Sequence, residues 1–105
     1  MSLSLSPYAP RVPDIRTYLV RDETCVVKVR GDLDAATVAA VARIEGVPAV
    51  IDLLDARLVD LDALDTLVAG ADAVFVAGRP LRDALDLIGL HRAVRTASSL
   101  AAALR

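Results

Sequence analysis

The side chains of this chain that could carry out chemistry are few and far apart. His91 is the only histidine and Cys25 the only cysteine. A histidine could serve a metal site or a nucleophile–base pair, but both need further groups close by, and no neighbouring motif supplies them. We therefore expect His91 to be a solvent-facing residue at a helix end. Cys25 lies in an apolar run, which favours a buried structural thiol over a reactive one, and a lone cysteine excludes an internal disulfide.

Aspartates are concentrated in the middle of the chain, at Asp52, Asp55, Asp60, Asp62 and Asp65. Carboxylates gathered at one point could bind a cation or work as an acid–base pair. Strand alternation and helix turns would instead point these side chains in different directions. We therefore favour the interpretation that they form a solvent-exposed face, with some of them at the start of a helix. The five glycines are not clustered into a phosphate-binding loop. We expect no catalytic residues, no metal and no cofactor, and thus no enzyme.

The composition is typical of one small domain. The chain has 105 residues, of which 55 % are hydrophobic and 3 % aromatic, which is enough for one core. The net charge is −2 and the basic residues are scattered, so direct nucleic-acid binding is not expected. No apolar run approaches the roughly 20 residues that cross a bilayer, and residues 1–13 lack the features of a secretory signal. We expect no membrane insertion and a cytoplasmic location, while an exposed apolar patch leaves homo-oligomerisation open.

The periodicity of apolar residues predicts alternating strands and helices. After a flexible lead-in over residues 1–13, two strand-like runs joined by the polar Arg21–Glu23 predict an antiparallel hairpin, whose second strand ends at Gly31. Further strands are expected over 49–54, 72–77 and 93–96, and helices over 35–44 with Asp34 as N-cap, 60–70, 80–89 and 98–104. The order β-β-α-β-α-β-α-β-α predicts one α/β domain over 14–105, with a four- to five-stranded mixed sheet and about four helices.

Three patterns then follow one another: Val29-Arg30-Gly31-Asp32-Leu33-Asp34, Val50-Ile51-Asp52-Leu53 running to Val59-Asp60, and Ile88-Gly89-Leu90-His91-Arg92. In this order they resemble the STAS family. Its members show a Gly-Glu-Leu-Asp turn before the first helix, an apolar strand ending in Asp-Ser-Ser-Gly-Leu, and a Gly-Leu pair closing the helix before the last strand. The resemblance spans about residues 15 to 104 and implies a STAS-like fold. It also implies a function like that of bacterial anti-sigma-factor antagonists, which regulate transcription by binding an anti-sigma factor kinase.

The chain departs from the family at the phosphorylation motif, where it has Asp60-Leu61-Asp62-Ala63. Leu61 stands at the acceptor position and has no hydroxyl, so no phosphoryl group can be transferred there. Asp62 could mimic a permanently phosphorylated state, although we favour a plain role as N-cap or dipole-compensating acid. Ala63 adds a methyl where the family has glycine. Both flanking helices are also short, so the groove between them is expected to be small.

The resemblance implies a partner-binding surface without phosphoserine control, and we place it on Asp32, Asp34, Asp60, Leu61, Asp62 and Ala63. A different class of function stays open beside it. The chain could be a structural or accessory STAS subunit, as in stressosome-like assemblies or lipid-transport ATPase complexes. Neighbouring genes would separate the two, since a sigma or anti-sigma gene favours the first and a transporter ATPase with its permease favours the second.

Overall fold

A computed structural model of the chain describes residues 13–90 and 94–105. The strands are β1 (Asp14–Val20), β2 (Thr24–Leu33), β3 (Val50–Val59), β4 (Val74–Val76) and β5 (Arg95–Ala97), and the helices are α1 (Ala35–Ala42), α2 (Leu61–Gly70), α3 (Arg79–Leu87) and α4 (Leu100–Ala103). The predicted α/β class, the mixed sheet and the order of elements are confirmed. His91, Arg92, Ala93 and residues 1–12 of the predicted lead-in lie outside the described residues.

The five strands lie side by side in chain order. β1 pairs with β2 in antiparallel orientation, and every later pair is parallel. Because each parallel connection advances by one strand, right-handed crossovers place α1, α2 and α3 on one face of the sheet. The core agrees with this arrangement, since Val41 of α1, Leu64 of α2 and Leu85 of α3 pack in one cluster with Ile51 and Phe75.

The opposite face of the sheet is covered by α4. Strand alternation turns Val26, Val50 and Val76 to this side, where Leu100 and Leu104 pack against them. The central strands are therefore buried on both faces where they cross the middle of the sheet. This double burial explains why their sequences are continuous apolar runs.

The strands β4 and β5 differ from the prediction by one to two residues at each end, and β2 and β3 both continue past their predicted ends. The expectation that β2 ends at Gly31 is wrong, because the strand continues to Leu33. Gly31 lies within the strand and has a positive φ of 78°. β3 likewise continues past Leu54 to Val59. The cause is two irregularities in the pairing of β2 with β3, each of which sets one extra β3 residue against the β2 ladder.

The extra residues change the periodicity of β3 from two to three. Leu53, Ala56 and Val59 all pack into the core cluster, while the two residues between each pair are turned outward. A strand that loses its alternation in this way does not resemble a strand in the sequence. The site discussed below is built on this irregular part of the sheet.

Candidate functional site

The residues that the sequence singled out gather at one edge of the sheet. β2 and β3 are parallel, so their carboxyl ends meet there, and α1 and α2 both begin at that edge. The amide of Asp60 donates to the carbonyl of Leu33 at 2.9 Å and joins the two helix starts. Residues almost thirty positions apart in the chain are therefore brought to the same edge of the sheet.

The start of α1 is fixed by two hydrogen bonds. Asp34 is its N-cap, as expected, and the carboxylate accepts from the amide of Thr37 at 2.9 Å. The hydroxyl of the buried Thr37 donates to the carbonyl of Asp32 at 2.9 Å. The donation from the Thr37 amide favours the ionised carboxylate and lowers the pKa of Asp34 below its ordinary value. Asp32 and Asp34 are thus held in place by the same threonine.

The start of α2 is capped by Asp60. Its Oδ1 accepts from the amides of Asp62 at 2.9 Å and Ala63 at 3.3 Å. The interpretation of Asp62 as N-cap is therefore wrong, because Asp60 holds that position. Asp62 lies in the first turn with an exposed carboxylate, where it compensates the helix dipole as the other expected role requires. Its carbonyl accepts from the hydroxyl of Thr66 at 3.0 Å.

Leu61 and Ala63 point to different surroundings. Leu61 is the first residue of α2 and its side chain is 41 % exposed, so an apolar group stands at the helix start. Ala63 is only 5 % exposed and its methyl belongs to the interior. The outward surface of this turn is therefore made by Asp60, Leu61 and Asp62, with Ala63 contributing its amide to the cap.

A cavity of about 620 Å³ opens beside Asp32 and Asp34. It is walled by the start of β1, the end of β2, the first turn of α1 and the irregular part of β3. The side chains that surround it are mostly charged or polar, and they are Asp14, Arg30, Asp32, Asp34, Thr37, Asp55 and Arg57. The predicted residues are thus divided, because Asp32 and Asp34 line this hollow while Asp60 to Ala63 do not.

The charges around the cavity are partly paired. Lys28 lies 3.0 Å from Asp55, and this carboxylate raises the pKa of the lysine. Arg30 lies 3.8 Å from Asp14. Within the described part of the chain, the guanidinium of Arg57 has no ion-pair partner, and it lies above Gly31, where one of its nitrogens would be 3.9 Å from an added Cβ. Sequence reasoning missed Arg57, because the strand that positions it was not predicted there.

The central aspartates point in different directions, as expected, but the expectation of a solvated face is wrong for Asp52. Asp52 is buried, and its Oδ1 accepts from the amide of Leu54 at 3.0 Å, which satisfies a backbone group at the first irregularity of β3. Asp55 pairs with Lys28, and Asp60 caps α2. Among residues 13–90 and 94–105, no three His, Cys, Asp or Glu side chains are arranged to hold a metal ion. Cys25 is half-buried, less enclosed than its apolar neighbours led us to expect.

The sequence was compared with protein-family models and with curated proteins. No family model matches the chain, and no curated protein matches it. In the described ranges, none of the helices combines the length and the apolar character that crossing a membrane requires. The interpretation of the site therefore depends on the residues of this chain.

Proposed function

We propose that the chain is a non-catalytic protein-binding module of the STAS type, similar to a bacterial anti-sigma-factor antagonist. It acts in the cytoplasm and regulates transcription by binding a partner protein. The proposed partner is an anti-sigma factor with a kinase fold. The order of elements supports this proposal, and so does the position of two of the motifs that carry the resemblance. Gly31-Asp32-Leu33-Asp34 leads into α1, and the apolar β3 leads through Asp60 into α2.

The observation that carries the proposal is the surface at the start of α2. An exposed Leu61 stands between the capping carboxylate of Asp60 and the exposed carboxylate of Asp62. A partner that covers this turn would desolvate the apolar side chain, and the charges beside it would select the partner. Asp32 and Asp34 extend this surface across the neighbouring helix start.

The same turn explains why we propose binding without phosphoserine control. The residue that would receive a phosphoryl group is Leu61, which offers no oxygen. The nearest hydroxyl in α2 belongs to Thr66, one turn further on, and it is engaged with the carbonyl of Asp62. Without a phosphorylation step at this turn, the fraction of partner bound there is set by the concentrations of the two proteins and by competing proteins.

The test uses the full chain and the anti-sigma kinase encoded nearest to its gene, with affinity measured by biolayer interferometry. Leu61→Asp and Asp62→Lys should each weaken binding by about tenfold or more, because one removes the apolar anchor and the other inverts the charge beside it. Leu87→Asp and Asp83→Lys on α3 are the matched controls and should leave the affinity unchanged, since both residues are exposed and lie on a helix that carries none of the proposed binding residues.

A second measurement addresses the missing switch. The chain is incubated with the kinase and ATP, and its intact mass is then recorded. An unchanged mass is expected. A stoichiometric phosphate on the wild-type chain would overturn the proposal that binding is not controlled by phosphorylation. In the affinity measurement, an equal loss in the α3 variants would overturn the location of the docking surface.

A further inference from the structure

The outer part of β3 has a strand neighbour on one side only. β4 pairs with β3 over Val50–Asp52 and then ends, whereas β3 continues to Val59 beside β2. We call the backbone of residues 54–58 on the side away from β2 the free edge. Within the described residues, no backbone hydrogen bond joins this segment to an element other than β2. An exposed edge of this kind is a template for another strand.

Apolar side chains mark both ends of the free edge. Leu54 is 45 % exposed and Leu58 is 70 % exposed, while Ala56 between them is turned toward the core. The two leucines add exposed apolar surface at both ends of a strand segment that has no strand neighbour on this side. The amide of Leu54 is bonded to Asp52 Oδ1, so within the described residues the backbone of residues 55–58 is the part of this edge that could accept a further strand.

The sequence of the segment, Leu54-Asp55-Ala56-Arg57-Leu58, is complementary to its own reverse. When two copies are set antiparallel with Ala56 opposite Ala56, each Leu54 lies opposite the other copy's Leu58. Each Asp55 then lies opposite the other copy's Arg57. Directly opposed residues of opposite charge stabilise an antiparallel pair, and so do directly opposed apolar residues.

We propose that the free edge of β3 pairs antiparallel with the same edge of a second copy of this chain, forming a two-fold symmetric dimer with a sheet continuous across both molecules. Arg57 has no ion-pair partner in the described part of the chain, and the second copy supplies one. Asp55 contacts Lys28 through Oδ2, and a carboxylate can accept from a second cation as well.

Charge and geometry favour a second copy of the chain in one orientation. A parallel arrangement in the same register would set Asp55 against Asp55 and Arg57 against Arg57, which is unfavourable. A two-fold pairing is also closed, since it consumes both free edges and leaves none for a third molecule. The two irregularities in the β2–β3 pairing fall at residues 53–54 and 57–58, on either side of the regularly paired Asp55 and Ala56, so the proposed contact is centred on these two residues.

The test is a charge exchange in the full-length chain, with the dimerisation constant measured by sedimentation equilibrium. The wild type should form a concentration-dependent dimer. Arg57→Asp and Asp55→Arg alone should each weaken it by about tenfold or more, because like charges then face each other. The double exchange should restore dimerisation, since the pairs are re-formed with the charges reversed. Leu58→Glu should weaken the dimer, whereas the matched Leu87→Glu on α3 should not.

Cross-linking provides a second measurement that does not depend on the stability of the charge variants. In a Cys25→Ser background, Leu54→Cys together with Leu58→Cys should give a disulfide-linked dimer, because directly opposed strand residues have Cα atoms about 4.5 to 5.5 Å apart. Each single variant should stay unlinked, because residue 54 of one copy lies opposite residue 58 of the other copy and a single variant has a cysteine at only one of these positions. Within one chain the two residues are too far apart to bridge.

Three results would overturn the proposal: a wild type that stays monomeric up to about millimolar concentration, a dimer that Arg57→Asp leaves intact, or cross-linking in a single variant as strong as in the double one. The proposal is independent of partner binding at α2. The charge exchange alters neither Leu61 nor Asp62, so failure of the dimer and failure of kinase binding are seen in separate experiments.

Discussion

The two halves of β3 are held in different ways. The inner half, Val50–Leu53, is buried and lies between β2 and β4 for most of its length, so its position is set by packing on both faces. The outer half, residues 54–59, has only β2 beside it. It is held by the irregular hydrogen-bonded pairing with β2 and by the side chains of Ala56 and Val59, which pack into the core. One continuous strand thus changes from core to recognition surface within about two residues.

The contrast teaches where this fold can accommodate function. A side chain in the inner half is enclosed on all sides, so it is not free to serve any purpose besides packing. The outer half offers free backbone groups, charges and exposed leucines, and it leads directly into the capped start of α2. Features proposed to bind other molecules all lie beyond the point where β4 ends.

The largest expected effect comes from the same substitution made once in each half. Leu53→Ala should destabilise the domain by about 2 to 5 kcal/mol, because a side chain that is 3 % exposed leaves a cavity. Leu58→Ala should change the unfolding free energy of the monomer by about 0.5 kcal/mol or less. Urea unfolding at low protein concentration measures both. Similar losses in the two variants would show that the outer half is packed like the inner one.

A smaller effect is expected at the junction, where Asp52 bonds the amide of Leu54. Asp52→Ala removes the acceptor and leaves that amide without its partner, which should cost about 1 to 3 kcal/mol. Asp52→Asn is the matched control, since its side-chain oxygen can still accept this hydrogen bond. Urea unfolding compares the three proteins. If Asp52→Asn loses as much stability as Asp52→Ala, the charge and not the hydrogen bond is responsible.

The sequence predicted the inner half and failed on the outer half for a physical reason. Short apolar runs such as Val50–Leu53 are typical of buried strands, and the βαβ order followed from them. The outer half pairs through two bulges, and each inserts a residue that breaks the alternation on which strand prediction depends. The free edge and the position of Arg57 were hidden by the same irregularity.

The candidate site was predictable to the extent that it follows helix-start chemistry. Asp34 as a cap followed from its place before an apolar helix, and the structure confirms it. Asp60 and Asp62 were harder to separate, because both are good acids for a first turn and only the backbone shows that the carboxylate of Asp60 reaches two amides. The cavity beside Asp32 depends on contacts between distant strands, for which no local pattern exists.

The cap next to the outer half gives a prediction with a definite pH dependence. Asp34→Ala should destabilise the domain by about 1 kcal/mol at neutral pH, because the amide of Thr37 loses its acceptor. The folded-state pKa of Asp34 is lowered, so its ionisation stabilises the fold above the ordinary value of 3.8 and this contribution is lost as the pH falls through the folded pKa.

Asp34→Asn separates the cap from its charge, because asparagine also caps helices but does not titrate. The unfolding free energy should therefore decrease less between about pH 7 and about pH 3 in Asp34→Asn than in the wild type. An equal fall in both proteins would show that other carboxylates account for the acid sensitivity.

An effect of about the same size as that of the cap is expected at the β2 residue that lies beside the outer half of β3. Gly31 has a φ of 78°, and an added Cβ would find no atom closer than 3.9 Å, so space does not restrict this position. Gly31→Ala should still cost about 1 kcal/mol, because the left-handed backbone is unfavourable for a residue with a side chain. Gly31→Asn should cost less, since asparagine tolerates this conformation better. Equal losses for alanine and asparagine in urea unfolding would mean that contacts, and not backbone conformation, limit the outer half.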